Sequence, residues 1–113
     1  MYLCVQSGHD KKILSCQTKK PLNLQPNKPP YNYVDCDANI AKNPFKRNTL
    51  IACDYCFVLR GIHVDSLLLT TSRRNVCEGI YSQVLAEIWK PGFTSKYVDE
   101  AQLLRLNPLL SRL

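Results

Sequence analysis

Apolar and polar residues alternate in short runs through the first two thirds of the chain, and then the period changes. Tyr2-Leu3-Cys4-Val5 and Lys12-Ile13-Leu14-Ser15-Cys16 flank the turn cluster Ser7-Gly8-His9-Asp10. Two β-prone runs around such a cluster predict a hairpin. Tyr31-Asn32-Tyr33-Val34 alternates again and predicts a short strand, and Thr49-Leu50-Ile51-Ala52 predicts another. Phe57-Val58-Leu59, the pair Arg60-Gly61 and the run from Ile62 to Thr71 read as two strands joined by a turn. Glycine there supplies the freedom in φ that a reversal needs. In the second strand Ile62, Val64, Leu68 and Thr70 alternate with His63, Asp65, Leu67 and Leu69, so cover on both faces is expected.

Beyond residue 75 the period becomes helical. Val76, Ile80, Val84 and Ile88 fall four apart, and Cys77, Tyr81, Leu85 and Trp89 fill the adjacent row. That spacing predicts a helix over 76–90 with one wide apolar face. Asn75 with Glu78 three residues on is a capping-box pattern, and Pro91-Gly92 closes the helix. A second helix is expected from about Ser95 to Leu106, with Asp99 and Glu100 near its start and Arg105 near its end, as the helix dipole favours. The apolar tail Leu109-Leu110-Ser111-Arg112-Leu113 is expected to dock or bind. Residues 18–34 hold Pro21, Pro26, Pro29 and Pro30, which fix φ and remove donors, so an extended connection is expected there.

These elements describe a single α+β domain: a β-hairpin over 1–17, a proline-rich connection over 18–34, and a core over 35–113 ending in two helices. A chain of 113 residues buries roughly 65 % of its unfolded surface, enough to fold alone but helped by a staple. Six cysteines are candidates for one: Cys4, Cys16, Cys36, Cys53, Cys56 and Cys77. No segment reads as a signal peptide or a membrane span, so a reducing compartment, cytoplasm or nucleus, is expected. In such a compartment thiols serve as metal ligands, redox groups or buried fillers. If the protein is secreted instead, the same six read as three disulfides. The C-terminal Ser-Arg-Leu is a variant of a peroxisomal address.

The most informative spacing is Cys53-Asp54-Tyr55-Cys56. C-x2-C lets one backbone turn offer two sulfurs to one zinc ion, which takes four tetrahedral Cys or His ligands. With a strand before it, a hairpin after it and Cys77 at a helix start, the expectation is a treble-clef-like knuckle, hairpin and helix. Its ligands would be Cys53, Cys56 and Cys77, with Cys36 or His63 as the fourth. Cys4, His9 and Cys16 are candidates for a second site, or Cys4 and Cys16 simply pack as small apolar residues. A thiol-redox role for Cys53 and Cys56 is the alternative use of the motif. It fits poorly, because thioredoxin-like folds follow C-x2-C with a helix and Phe57 to Ile62 favours strand and turn. No Ser-His-Asp pattern, phosphate loop or H-E-x-x-H is present, so a non-catalytic role is expected.

Charge points toward a partner. The chain carries a net +6, and the excess is uneven. Residues 1–50 hold eight basic and three acidic side chains (+5), and residues 51–113 hold seven and six (+1). Such a field favours an anionic partner, nucleic acid first. Arg73 and Arg74, just before the helix, and Lys42, Lys46 and Arg47, just before the knuckle, are the candidate phosphate contacts. Lys28, Tyr31 and Tyr33 are candidates for pairing a phosphate contact with base stacking. A protein partner on the helix faces and the leucine-rich tail is the rival.

Cys53-x2-Cys56-Phe57, then Leu69-Thr70-Thr71, then Cys77-x-Gly79-Ile80 with Val84 and Ile88 resembles the cysteine-rich nucleic-acid-binding proteins of carlaviruses over about residues 53–92. Arg73-Arg74 stands where that family has its third cysteine, and the basic run before Cys53 is thinner than the family's. The Ala52-Cys53-x2-Cys56-Phe57 core with Val76-Cys77 is also similar to a herpesvirus late-gene regulator family. Both resemblances imply a small viral regulatory protein, and the expected role is zinc-stapled nucleic-acid binding in regulation of transcription or suppression of silencing.

Overall fold

A single long strand organises the main sheet. The computed structural model describes residues 2–19, 29–39, 41–65 and 76–112. Strands and helices are numbered in chain order. β2 (Asp10–Thr18) pairs antiparallel with β1 (Tyr2–Gln6), Tyr2 opposite Ser15 and Cys4 opposite Ile13, which is the predicted N-terminal hairpin. β4 (Thr49–Ala52) pairs with the C-terminal end of β2, and β5 (Tyr55–Arg60) with its N-terminal half. Going from Cys16 to Ile13 is three residues along β2, while their partners Ile51 and Phe57 lie six apart. The three extra residues are taken up around the C-x2-C turn, which kinks one strand path into two. β3 (Tyr33–Cys36) adds antiparallel to β4, and β7 (Thr94–Tyr97) adds parallel to β5, giving the order β3-β4-β2-β5-β7 with β1 also on β2.

α1 (Glu78–Ile88) covers one face of this sheet. On that face lie Leu14 and Cys16 of β2, Val34 and Cys36 of β3, Ile51 of β4, and Cys56 and Val58 of β5; Cys53 and Phe45 join them from loops. Val84 is fully buried at the centre of the helix's predicted apolar row, with Val76, Ile80 and Ile88 packed around the same cluster. Burying a side chain of that size contributes about 1.5–3 kcal/mol, so this row fixes the helix to the sheet.

Three sequence expectations change. The described part of the run after Gly61, Ile62–Val64, does not pair with β5. β6 (Ile62–Val64) instead pairs with β8 (Leu110–Arg112) in a separate two-stranded sheet, so the tail docks as a strand. Among the described residues β5 and β6 do not pair as the hairpin expected after the C-x2-C turn. The second helix is shorter than expected, because Thr94-Ser95-Lys96-Tyr97 joins the open edge of β5 as a strand. Thr and Tyr suit that pleated edge better than a helix turn. The helix is α2 (Glu100–Leu106), capped by the Asp99 carboxylate accepting from the Gln102 N–H at 3.1 Å. Finally, Cys77 is the N-cap of α1 with extended backbone, not a first-turn residue, and Trp89 is the C-cap. Trp89 keeps helical backbone, its N–H bonded to the Leu85 carbonyl, yet it is 82 % exposed and does not extend the buried apolar face. Asn75, the expected cap, and the run 66–71 lie outside the described residues, as do Pro21 and Pro26 of the connection.

Candidate nucleic-acid interface

The loop between β3 and β4 carries three of the expected phosphate contacts and is built to hold them outward. Asn39 starts it: its side-chain oxygen accepts from the Ala41 N–H, and its carbonyl accepts from the N–H groups of Lys42 and Asn43 at 2.9 and 2.8 Å. Asn and Asp favour such local bonds to backbone, which is why they build turns. Asn43 is buried and donates to the Asp37 carbonyl at 3.0 Å while accepting from the Phe45 N–H at 3.0 Å. Phe45 is buried in the core cluster. Asn48 closes the loop, accepting from Ala38 N–H through its side chain and from Lys19 N–H through its carbonyl. With Asn43 and Phe45 inward, Lys42, Lys46 and Arg47 are exposed, and none has a carboxylate partner among the described residues. The Lys42 carbonyl accepts from the Cys77 N–H at 2.6 Å, which docks the loop on the start of α1. Arg73 and Arg74, four and three residues before Cys77, lie outside the described residues.

The C-x2-C turn lies between β4 and β5 with both of its cysteines in the core cluster. Cys53 and Cys56 are buried, and their thiols donate to the Ile51 carbonyl at 3.4 Å and the Ser95 hydroxyl at 3.5 Å. Asp54 between them accepts from the Tyr31 and Asn32 N–H groups at 2.8 and 2.7 Å, tying the entry of β3 to the turn. Burial pushes the Cys53 thiol up to about 12, with the nearby Glu87, Asp54 and Cys16 adding to the rise. Burial does the same to Cys16, to about 12, and to Cys36, to about 11. The neighbouring thiols add to these rises, Cys16 to that of Cys53, Cys36 to that of Cys16 and Cys77 to that of Cys36. All six cysteines are free thiols. His63 is exposed on β6 opposite Ser111. His9 and Cys4 are exposed, and His9 pairs with Asp10. Among the described residues, no three or more His, Cys, Asp or Glu side chains form a metal-holding group. The thiols of Cys16, Cys36, Cys53 and Cys56 lie in the buried core cluster.

The sheet face away from α1 holds residues that the sequence reading passed over. By register, Tyr2, Cys4, Lys11, Ile13, Ser15, Tyr55, Phe57, Thr94 and Lys96 share it. Tyr2 and Phe57 meet edge to face with ring centres 6.3 Å apart, and Tyr55 and Phe57 do so at 5.4 Å. The Lys96 ammonium lies over the Tyr55 ring, 3.8 Å from its centre. The available signal was the alternation of Tyr55 and Phe57 with Cys56 and Val58, which puts both rings opposite the buried pair. Of the tyrosines named from sequence, Tyr31 is 62 % exposed, and Tyr33 faces the same way from β3 at 37 %.

No helix among the described residues is long and apolar enough to cross a membrane. No family model, no curated protein and no solved structure matches the chain.

Proposed function

We propose that this protein binds nucleic acid and acts without catalysis, as a small regulatory protein. The observation that carries this reading is the loop 41–48, braced through Asn39 and Asn43, which presents Lys42, Lys46 and Arg47 beside the start of α1 with no carboxylate partner among the described residues. A rigid cationic loop loses little side-chain-bearing backbone entropy on meeting phosphates, and each neutralised phosphate releases counterions. The net +6 adds a long-range field of the right sign. The regulatory setting, transcription or silencing suppression in a virus, rests on the sequence resemblances alone.

A zinc ion on the cysteines would serve as a staple and not in catalysis. Among the described residues no three of these side chains form a metal-holding group, so a staple through Cys36, Cys53, Cys56 and Cys77 would draw them closer together than they stand. Metal content of the purified protein tests this: close to one zinc per chain supports the staple, and none removes it.

The test of the reading is salt titration of oligonucleotide binding with the wild type and with Lys42, Lys46 and Arg47 all changed to Ala. The slope of log affinity against log salt should flatten by about two to three, at roughly 0.7–0.9 per lost phosphate contact. An unchanged slope takes the loop out of the interface. A protein-interaction module is the second reading, favoured by the exposed Trp89, Leu106 and Leu109. Binding to a protein partner that persists in high salt, with no oligonucleotide binding, would decide for it.

A further inference from the structure

The nucleic-acid reading says nothing about strandedness, and the loop alone would serve duplex and single strand alike. The face of the sheet away from α1 does discriminate. We infer that Tyr2, Phe57, Tyr55 and Lys96 form a stacking platform for single-stranded nucleic acid. This inference rests on the proposed nucleic-acid binding and specifies its substrate.

Three features of that face carry it. First, its aromatic rings adjoin one another across three strands, β1 and β5 with β2 between them, so they form a continuous surface and not isolated side chains. Tyr2 is 59 % exposed at the edge, where a ring gains nothing from the core. Unpaired bases offer flat faces to such rings, whereas the bases of a duplex are already stacked on each other. Second, the charges on this face have one sign. Lys96 and Lys11 are basic, and no Asp or Glu lies on the face over β1, β2, β5 and β7. The acidic residues of α1, Glu78 and Glu87, belong to the helix layer on the other side. Third, the cation is placed within the aromatic row. Lys96 rests on Tyr55 in the free protein, and a backbone phosphate beside a stacked base is a stronger partner for its ammonium than a tyrosine ring. Lys11 is less available, since it donates to the carbonyls of Gly8 and Ile62. The platform ends at the Phe57 end of β5, since Leu59 opposite Lys11 on the same face is buried, and it stops short of β4, where Leu50 is fully buried.

The experiment compares fluorescence anisotropy of three short labelled probes of equal length, oligo-uridylate, oligo-thymidylate and a mixed-sequence duplex, on the full chain. The wild type should bind single strands more tightly than duplex. Tyr2→Ala should weaken single-strand binding about fivefold to a hundredfold, the range for losing one base stack, and leave duplex binding unchanged. Tyr2→Trp keeps a flat ring and should restore it. Lys96→Ala should weaken single-strand binding and flatten its salt slope by about one. Both positions are exposed, and near-ultraviolet circular dichroism of each variant confirms the fold. A preference for uridylate or thymidylate separates RNA from DNA as the source of the strand. Equal binding of duplex and single strand, or wild-type affinity in Tyr2→Ala, overturns the platform while leaving the loop as a phosphate contact. Failure of all three probes to bind the wild type overturns both proposals.

Discussion

Asn43 shows how one residue sets the placement of a charged surface. Its side chain is 1 % exposed, and its amide bonds to the Asp37 carbonyl and the Phe45 N–H. Asn43→Ala leaves the Phe45 N–H unsatisfied in a buried setting and removes the donor to the part-buried Asp37 carbonyl, a loss of about 1–3 kcal/mol by denaturant unfolding. Oligonucleotide affinity should fall with it, although Asn43 itself is uncharged and faces away from solvent. Asp54 plays a similar part at the C-x2-C turn. Its two bonds to Tyr31 and Asn32 N–H are charge-assisted, and Asp54→Ala should cost about 1.5–3 kcal/mol and free the amides of residues 31 and 32 to hydrogen exchange. If those amides stay protected, the turn is held by its cysteines and not by its carboxylate.

At the scale of elements, the open edge of β5 decides the fate of residues 94–106. Their helical signals were sound, but ladder bonds along β5 compete with them, and only the part beyond Asp99 remains helical. Val98 N–H still reaches the Val58 carbonyl, so the extended pairing runs to the cap itself. Arg60 then ties the two pieces, with its guanidinium 4.8 Å from the centre of the Tyr97 ring and 3.3 Å from the Glu100 carboxylate. α2 has seven residues, too short to stand without its cap. Asp99→Ala should therefore cost about 1 kcal/mol and reduce helical circular dichroism more than one capping residue usually does. α1 depends on packing instead. Leu14, fully buried beneath it, should cost about 2–5 kcal/mol on change to Ala.

For the whole molecule the buried thiols set the alkaline limit. Cys16, Cys36 and Cys53 have native values of about 12, 11 and 12, above the ordinary value of 9.0 that an unfolded thiol keeps. Above pH 9 the unfolded chain loses these protons and the native chain retains them, so the unfolded state binds fewer protons and stability falls as pH rises. Thermal midpoints should be level below pH 9 as far as these groups are concerned and drop steeply between pH 9 and 12. A Cys16→Ala variant, which removes one of the three, should show a shallower drop. An unchanged slope would mean that the thiols are not as enclosed as their burial implies.

Local order was written into the sequence wherever a short run had one strong preference. The hairpin of β1 and β2, the strand at Thr49–Ala52, the apolar row of α1 and the outward placement of Lys42, Lys46 and Arg47 all follow from alternation, period and turn residues a few positions apart. Partner choice did not follow. Whether β5 pairs with β6 or takes β7, and whether the tail binds elsewhere or forms β8, depends on edges supplied by distant segments. The cysteines show the same limit in chemical form. Their spacing matches a metal knuckle, but spacing along the chain gives no direction to a side chain, and in the folded protein the thiols of Cys53 and Cys56 enter the core and meet a carbonyl and a hydroxyl. The aromatic face was hidden for a related reason. Tyr2 and Phe57 are far apart in the chain, and only the register of β1 and β5 on β2 brings their rings together.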